Sequence, residues 1–148
     1  SLYKTDTVTT RKQQIEHFMS VNYNSCTLEM LAKHLHLGVR QTNRIICGHY
    51  NMNYVGLVNH YRIMVAQQML LNGETPSTIA EHVGYHSIGG FRKAFRRVTG
   101  LTPREFLRKF GNDGCTPPIS AFSKDSLTDT FASFRESLQS TPNKENKK

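Results

Sequence analysis

Long apolar runs and tryptophan are both missing from this sequence of 148 residues. No apolar stretch approaches the roughly 18 residues that a membrane-spanning helix needs, so we expect no membrane segment. The first ten residues are polar, which argues against a secretory signal. The hydrophobic share of 37% nevertheless suffices for one folded core, followed by a tail.

Cysteine is scarce, and its spacing argues against a disulfide-stabilised protein and against a zinc-binding one. Cys26, Cys47 and Cys115 form neither an even set nor a CxxC motif, which favours free thiols in a reducing cytoplasm over disulfides or structural zinc. The closely spaced histidine pairs do not match the spacing of metal ligands on a helix. The sequence therefore predicts neither a metal nor another cofactor.

Acidic residues are few where the chain is most basic. Residues 11 to 110 contain 13 Lys or Arg but five Asp or Glu, and the segments on either side are neutral, so the net charge of +8 lies in this segment. No GxSxG, Walker or HExxH motif is present, and no two carboxylates have catalytic spacing, so we expect no enzyme. The charge favours a polyanion, most commonly nucleic acid, over the alternative of a generally basic surface.

Periodicity and capping residues predict an all-α fold of about seven helices. Helix starts are indicated at Thr10, Thr27, Thr75, Ser87 and Thr102. We assign residues 1–9 to an N-terminal extension, 10–110 to the folded domain, and 111–148 to a flexible C-terminal tail rich in polar residues. A possible amphipathic helix at 126–139 carries Leu127, Phe131, Phe134 and Leu138; we expect it to stay unfolded or await a partner, with docking on the domain as the alternative.

Two pairs of short helices read as helix-turn-helix subdomains, with turns at Gly38 and Gly84. Between them, a linker helix from Tyr54 to about Leu71 would span roughly 27 Å. We expect its core face to contain Leu57, Val58, Tyr61, Val65 and Met69.

The second helix of each pair combines an apolar side with a polar, basic side. In the segment Val39 to Cys47, the expected apolar positions are Val39, Ile45 and Ile46; in Ser87 to Val98 they are Phe91, Ala94, Phe95 and Val98. A DNA major groove about 12 Å wide admits one helix, and a helix-turn-helix places its second helix there. Two such helices about one DNA turn apart would read one site, and the linker helix has a suitable length.

A specific family pattern accompanies this layout. The run Ile79-Ala80-Glu81-His82-Val83-Gly84-Tyr85, followed by Phe91, Phe95, Gly100-Leu101-Thr102-Pro103 and Phe106, resembles the signature of the AraC/XylS family of bacterial transcription regulators. Upstream, Leu31-Ala32, Arg40 to Ile46, and Arg62 with Ala66 and Leu70 fit the same pattern. The resemblance covers about residues 10 to 110 and implies two helix-turn-helix subdomains on one face of DNA.

The resemblance also implies which side chains contact DNA. The base-contacting positions are Arg40, Asn43 and Arg44 in the first recognition helix, and Ile88, Gly89, Arg92, Lys93 and Arg96 in the second. Arg can pair with guanine and Asn with adenine, although a single arginine could equally neutralise a phosphate. We assign phosphate contacts to Thr27, Thr75, Arg97, Thr102 and Arg104, of which the threonines mark helix N-termini. Gly89 and Gly90 depart from the family pattern and suggest a loosely formed start of the second recognition helix.

The amino-acid sequence therefore predicts a cytoplasmic transcription regulator with sequence-specific binding to double-stranded DNA. The alternative is a protein-interaction module that retains the fold but recognises DNA bases less well. RNA polymerase is a candidate partner. The start at Ser1 fits a fragment from which an effector or dimerisation domain, usual in the family, is missing.

Overall fold

A computed structural model describes residues 10–111 together with Phe134 and Leu138. Its described part is helical without strands, which confirms the all-α prediction. The helices are α1 (Arg11–Asn22), α2 (Leu28–Leu35), α3 (Val39–Tyr50), α4 (Tyr54–Leu71), α5 (Pro76–Val83), α6 (Ile88–Thr99) and α7 (Pro103–Phe106), which continues into a π-helical turn at Leu107–Gly111. The chain divides into two compact units at Val58 and Asn59, within α4.

The predicted caps form at the helix starts. The Thr10 and Thr102 side chains each complete a capping box, with Gln13 and Glu105. The hydroxyl groups of Thr27, Thr75 and Ser87 accept the backbone N–H groups of Met30, Thr78 and Gly90, respectively. These bonds satisfy donors that would otherwise lack an intrahelical partner.

The turn between α2 and α3 uses a different left-handed residue from the one we expected. His36 has φ 61° and closes α2, while Gly38 has φ −75° and caps α3. The N–H of Leu37 donates to Ala32 O at 2.9 Å, which completes the six-residue closure of a Schellman motif. In the second unit, Gly84 has φ 104° and Tyr85 N–H donates to Ala80 O at the same distance, as the glycine predicted.

The core face of α3 also differs from the expected one. Thr42, Ile46 and Tyr50 are buried at helical spacing of four, whereas Val39 is 40% exposed. The hydroxyl of Thr42 donates to Gly38 O at 2.8 Å, so burial leaves that donor satisfied. The core of the first unit thus includes a polar residue that apolar periodicity alone does not reveal.

The linker helix α4 is buried on more than one face. Tyr61 is 1% exposed, and the five residues from Ile63 to Gln67 are each at most 5% exposed. The residues of the expected stripe are all buried except Met69, which is half-buried. A helix surrounded by protein lacks the one-sided periodicity of a surface helix, so the single stripe predicted from the sequence is too narrow.

The tail contributes one aromatic side chain to the second unit, which corrects the expectation that it stays apart from the domain. Phe134 is 8% exposed, and its ring centroid lies 4.8 Å from that of Tyr61 in an edge-to-face arrangement. Phe134 and Leu138 are both helical, and Leu138 is half-buried. The other residues of the predicted 126–139 helix lie outside the described residues.

Phe95→Ala is expected to lower the free energy of unfolding by about 3 to 5 kcal/mol, because a fully buried ring would be replaced by a cavity. Phe95 is 0% exposed and packs edge-to-face on Phe91 and Phe106, with centroids 5.8 Å and 5.4 Å away. Thermal or denaturant unfolding measures the loss. An unchanged melting temperature would contradict this packing of α6.

Phe134→Ala is expected to destabilise the second unit by an amount approaching the about 3 to 5 kcal/mol of a core Phe→Ala change. Leu138→Ala serves as the control, since truncating a half-buried side chain removes less apolar contact. Denaturant unfolding of the full chain compares the two variants. Equal stability of the Phe134→Ala variant and the unaltered protein would contradict the docking of Phe134.

Candidate nucleic-acid interface

The outer face of α6 is a cationic surface opposite a buried apolar one. Phe91, Ala94, Phe95 and Val98 are buried, as predicted. The intervening positions Arg92, Lys93, Arg96 and Arg97 are all exposed. Because residues three and four apart share a helix face, burying the apolar stripe directs the four charges toward solvent.

The glycines of α6 do not delay its start. The helix begins at Ile88, and Ser87 Oγ accepts Gly90 N–H at 3.0 Å. Ile88, Gly89 and Gly90 are all exposed at this end of the helix, and no backbone φ in the left-handed range occurs there. Ile88, at 38% exposed, is the large exposed side chain that precedes the cationic residues in α6.

The outer face of α3 carries fewer charges than that of α6. Arg40, Gln41 and Arg44 are exposed, and Arg40 and Arg44 lie one helical turn apart. Asn43, the third residue predicted to contact bases, is half-buried, and its Oδ1 accepts the backbone N–H of Tyr54 at 2.8 Å. The structure therefore brings the two arginines to one surface and gives the asparagine a partner inside the unit.

An open depression in the second unit brings together residues predicted for base and phosphate contacts. It measures about 430 Å³ and is lined by Pro76, Arg92, Thr102, Pro103, Arg104 and Leu107. Two arginines at one concavity next to a helix start form an arrangement that attracts anions. Thr102 Oγ1 accepts the N–H of Glu105, and the Thr102 N–H donates to Glu105 Oε1 at 2.9 Å, which lowers the pKa of that carboxyl group.

The other predicted phosphate ligands are exposed. Thr27 and Thr75 lie at the starts of α2 and α5, and Arg97 lies on α6. The hydroxyl oxygens of both threonines already accept helix N–H groups. Pro76 and Pro103 at the first helical positions have no N–H, so α5 and α7 present fewer backbone donors than α2 does.

A set of contacts that sequence reasoning did not assign holds the turn before α6. Tyr85 O–H donates to Asn59 Oδ1 at 2.6 Å, and Arg62 Nη1 donates to Gly84 O at 3.4 Å. The Arg62 guanidinium also lies over the Tyr85 ring, 5.2 Å from its centroid. The sequence feature that could have indicated these contacts is Arg62, a single arginine in the otherwise uncharged α4. Its partners could not be identified from the sequence because they are 22 or more residues away.

Among the described residues, no cluster of three His, Cys, Asp or Glu side chains could hold a metal ion. Within the same ranges, no helix is both long and apolar enough to cross a membrane. Cys47 is a free thiol, and Cys115 lies outside the described residues.

Comparison with known proteins places this architecture in a defined class, that of helix-turn-helix proteins. A family model described as a helix-turn-helix domain matches residues 31–109. The chain belongs to the AraC/XylS family of helix-turn-helix transcription regulators, which are not enzymes.

Known relatives resemble the chain at low sequence identity. It is 28% identical over 102 residues to YdiP, an uncharacterized HTH-type transcriptional regulator of Escherichia coli K12; this match covers 68% of the chain and 34% of YdiP. The chain thus spans about a third of that relative.

Solved structures share the fold. The C-terminal domain of AraT, a response regulator from Geobacillus stearothermophilus, matches with a TM-score of 0.63 and 23% identity, over 70% of this chain and 88% of that one. The DNA-binding domain of AdpA, solved with a target DNA, matches with a TM-score of 0.60 and 18% identity, over 67% of this chain and 90% of that one.

Burial raises the pKa of Tyr85 to about 12, and the nearby Arg62 cation opposes the shift. The folded state therefore favours the neutral phenol; its contribution to stability is complete below pH 10 and is lost as the pH rises toward about 12. We expect the Tyr85→Phe variant to lose a tyrosinate absorbance component that titrates above the ordinary tyrosine range, and its stability to fall less steeply between pH 10 and about 12. Identical titration curves would contradict the burial of this hydroxyl.

Proposed function

We propose that the chain binds double-stranded DNA by sequence and regulates transcription, with α3 and α6 entering successive segments of the major groove. The observation that carries the proposal is the face of α6, where four cations are exposed opposite four buried apolar residues. A recognition helix requires this combination, because one face must pack on its own domain while the other meets the polyanion. The net charge of +8 adds a long-range attraction to DNA.

The roles proposed for individual residues come from the family resemblance, and the exposure of the charged side chains supports them. Arg40 and Arg44 on α3, and Arg92, Lys93 and Arg96 on α6, would read base edges, with Ile88 and Gly89 approaching the bases at the start of α6. Arg97, Arg104 and the helix starts at Thr27, Thr75 and Thr102 would hold phosphates. The target DNA in the AdpA structure supports DNA as the partner by analogy of fold.

Other parts of the proposal concern the setting in which the chain works. A regulator of this family would act in the cytoplasm on chromosomal DNA, contact RNA polymerase, and respond through an effector or dimerisation domain. YdiP, of which the matched region covers 34%, is long enough for such a further domain.

The salt dependence of binding separates this function from the alternative, a protein-interaction module. A protein that neutralises six to ten phosphates should lose about 10³ to 10⁵ in duplex affinity between 50 and 200 mM salt, because counterions are released. Fluorescence anisotropy with mixed duplexes measures this slope, and selection from random duplexes then supplies a preferred sequence. If the protein binds no duplex even at low salt, the proposal is wrong.

Arg44→Ala is expected to weaken binding to the preferred duplex by about 1 to 3 kcal/mol and to relax base choice at one position, as the loss of a bidentate base contact should. Arg104→Ala is the matched control: both arginines are exposed, but the loss of a phosphate contact should weaken binding to all sequences alike. Anisotropy titrations with single-base-pair variants of the duplex distinguish the two effects. Equal losses for every sequence in both variants would rule out base reading by Arg44.

A further inference from the structure

Asn43 lies on α3 beside the exposed arginines, but its side chain is directed to a backbone group. Its Oδ1 accepts the N–H of Tyr54, the first residue of α4, at 2.8 Å. The N–H groups of the first turn have no partner within their own helix. Asn53 Oδ1 accepts a different one, that of Gly56, at 3.0 Å. Asn43 and Asn53 together therefore satisfy two donors at the start of α4.

The second unit repeats this region of the chain but has different residues where Asn43 and Tyr54 lie. Thr42 and Ile46 in α3 correspond to the buried Phe91 and Phe95 in α6, and the left-handed Asn51 corresponds to Gly100. With the same spacing of 49 residues, Arg92 takes the place of Asn43, and Pro103 takes the place of Tyr54.

Proline explains why the two units differ at this position. Pro103 has no N–H, so the start of α7 needs no acceptor where α4 needs one. Arg92 is exposed and lines the depression beside Pro103, whereas Asn43 is half-buried. At this position of the helix, the side chain of the first unit (Asn43) is held in a hydrogen bond within the unit. The side chain of the second unit (Arg92) is exposed and available to a ligand.

We infer that Asn43 is a positioning residue, which ties α3 to the start of α4 and thereby sets how Arg40 and Arg44 are presented, and that it does not read a base. This inference rests on the proposed function. Bidentate recognition of adenine needs the amide oxygen to accept from N6 while the amide nitrogen donates to N7. In this structure the oxygen accepts Tyr54 N–H, and turning it toward DNA would break this hydrogen bond.

Two substitutions at Asn43 and one control test the inference in the full chain. Asn43→Ala removes the acceptor, whereas Asn43→Asp keeps an acceptor oxygen near the positive end of α4. Arg92→Ala is the control at the corresponding position of α6, where Pro103 leaves no N–H to satisfy. Hydrogen exchange of the Tyr54 amide is measured for each variant by NMR. Anisotropy with every single-base-pair variant of the preferred duplex gives the base preferences.

We expect Asn43→Ala to speed exchange of the Tyr54 amide at least about tenfold and to reduce discrimination at all base pairs that Arg40 and Arg44 read. Asn43→Asp should restore slow exchange and the pattern of base preference, although its charge lowers affinity for every duplex alike. Arg92→Ala should leave the Tyr54 amide unchanged and weaken DNA binding.

Three results would overturn the inference. A loss of preference at one A·T pair alone in Asn43→Ala would make Asn43 a base reader. Unchanged exchange of the Tyr54 amide would remove the hydrogen bond as the cause, and faster exchange with unaltered base preferences would reduce Asn43 to a purely structural residue. Failure of the unaltered protein to bind any duplex would instead overturn the proposed function, while the exchange data would still report the hydrogen bond separately.

Discussion

The packing of Phe95 between Phe91 and Phe106 is the interaction on which the second unit depends. The three rings meet edge-to-face, and all three are at most 1% exposed. Because Phe91 and Phe95 are four residues apart, only one rotation of α6 about its axis buries both. The same rotation brings the four cations of the helix to the surface, so the packing that buries the rings also exposes the charges.

The first unit has a hydrogen-bonded threonine in its core where the second has an aromatic ring. Thr42 takes the place of Phe91 in the core and bonds to its own helix, and Tyr50 O–H donates to Glu16 Oε2 at 2.9 Å. Cys26 Sγ and Tyr54 Oη lie 2.8 Å apart in the same unit. Polar atoms in a core need partners at defined distances, so this unit should tolerate fewer exchanges of core residues than one held by apolar contact.

Local signals explain which parts of the molecule the sequence predicted well. A capping threonine and the N–H that it satisfies are three residues apart, and the Phe91 and Phe95 stripe lies within one helix, so the starts of the helices and the outer face of α6 were predictable. His36 was missed because Gly38, two residues later, is the more usual residue for a left-handed turn. The contacts of Phe134 and Asn43 were not predictable for another reason: their partners, Tyr61 and the Tyr54 N–H, belong to other helices, which periodicity does not report.

Pro103 has a consequence for how such a protein can diverge. Because Pro103 has no N–H, the side chain at the position of Arg92 is not needed as an acceptor at the start of α7, so substitutions there would leave that helix start intact. At the position of Asn43, any replacement must still satisfy the Tyr54 N–H, which restricts the acceptable residues to those with a short side-chain acceptor. The exposed face of the second helix-turn-helix can therefore vary at this position more freely than that of the first.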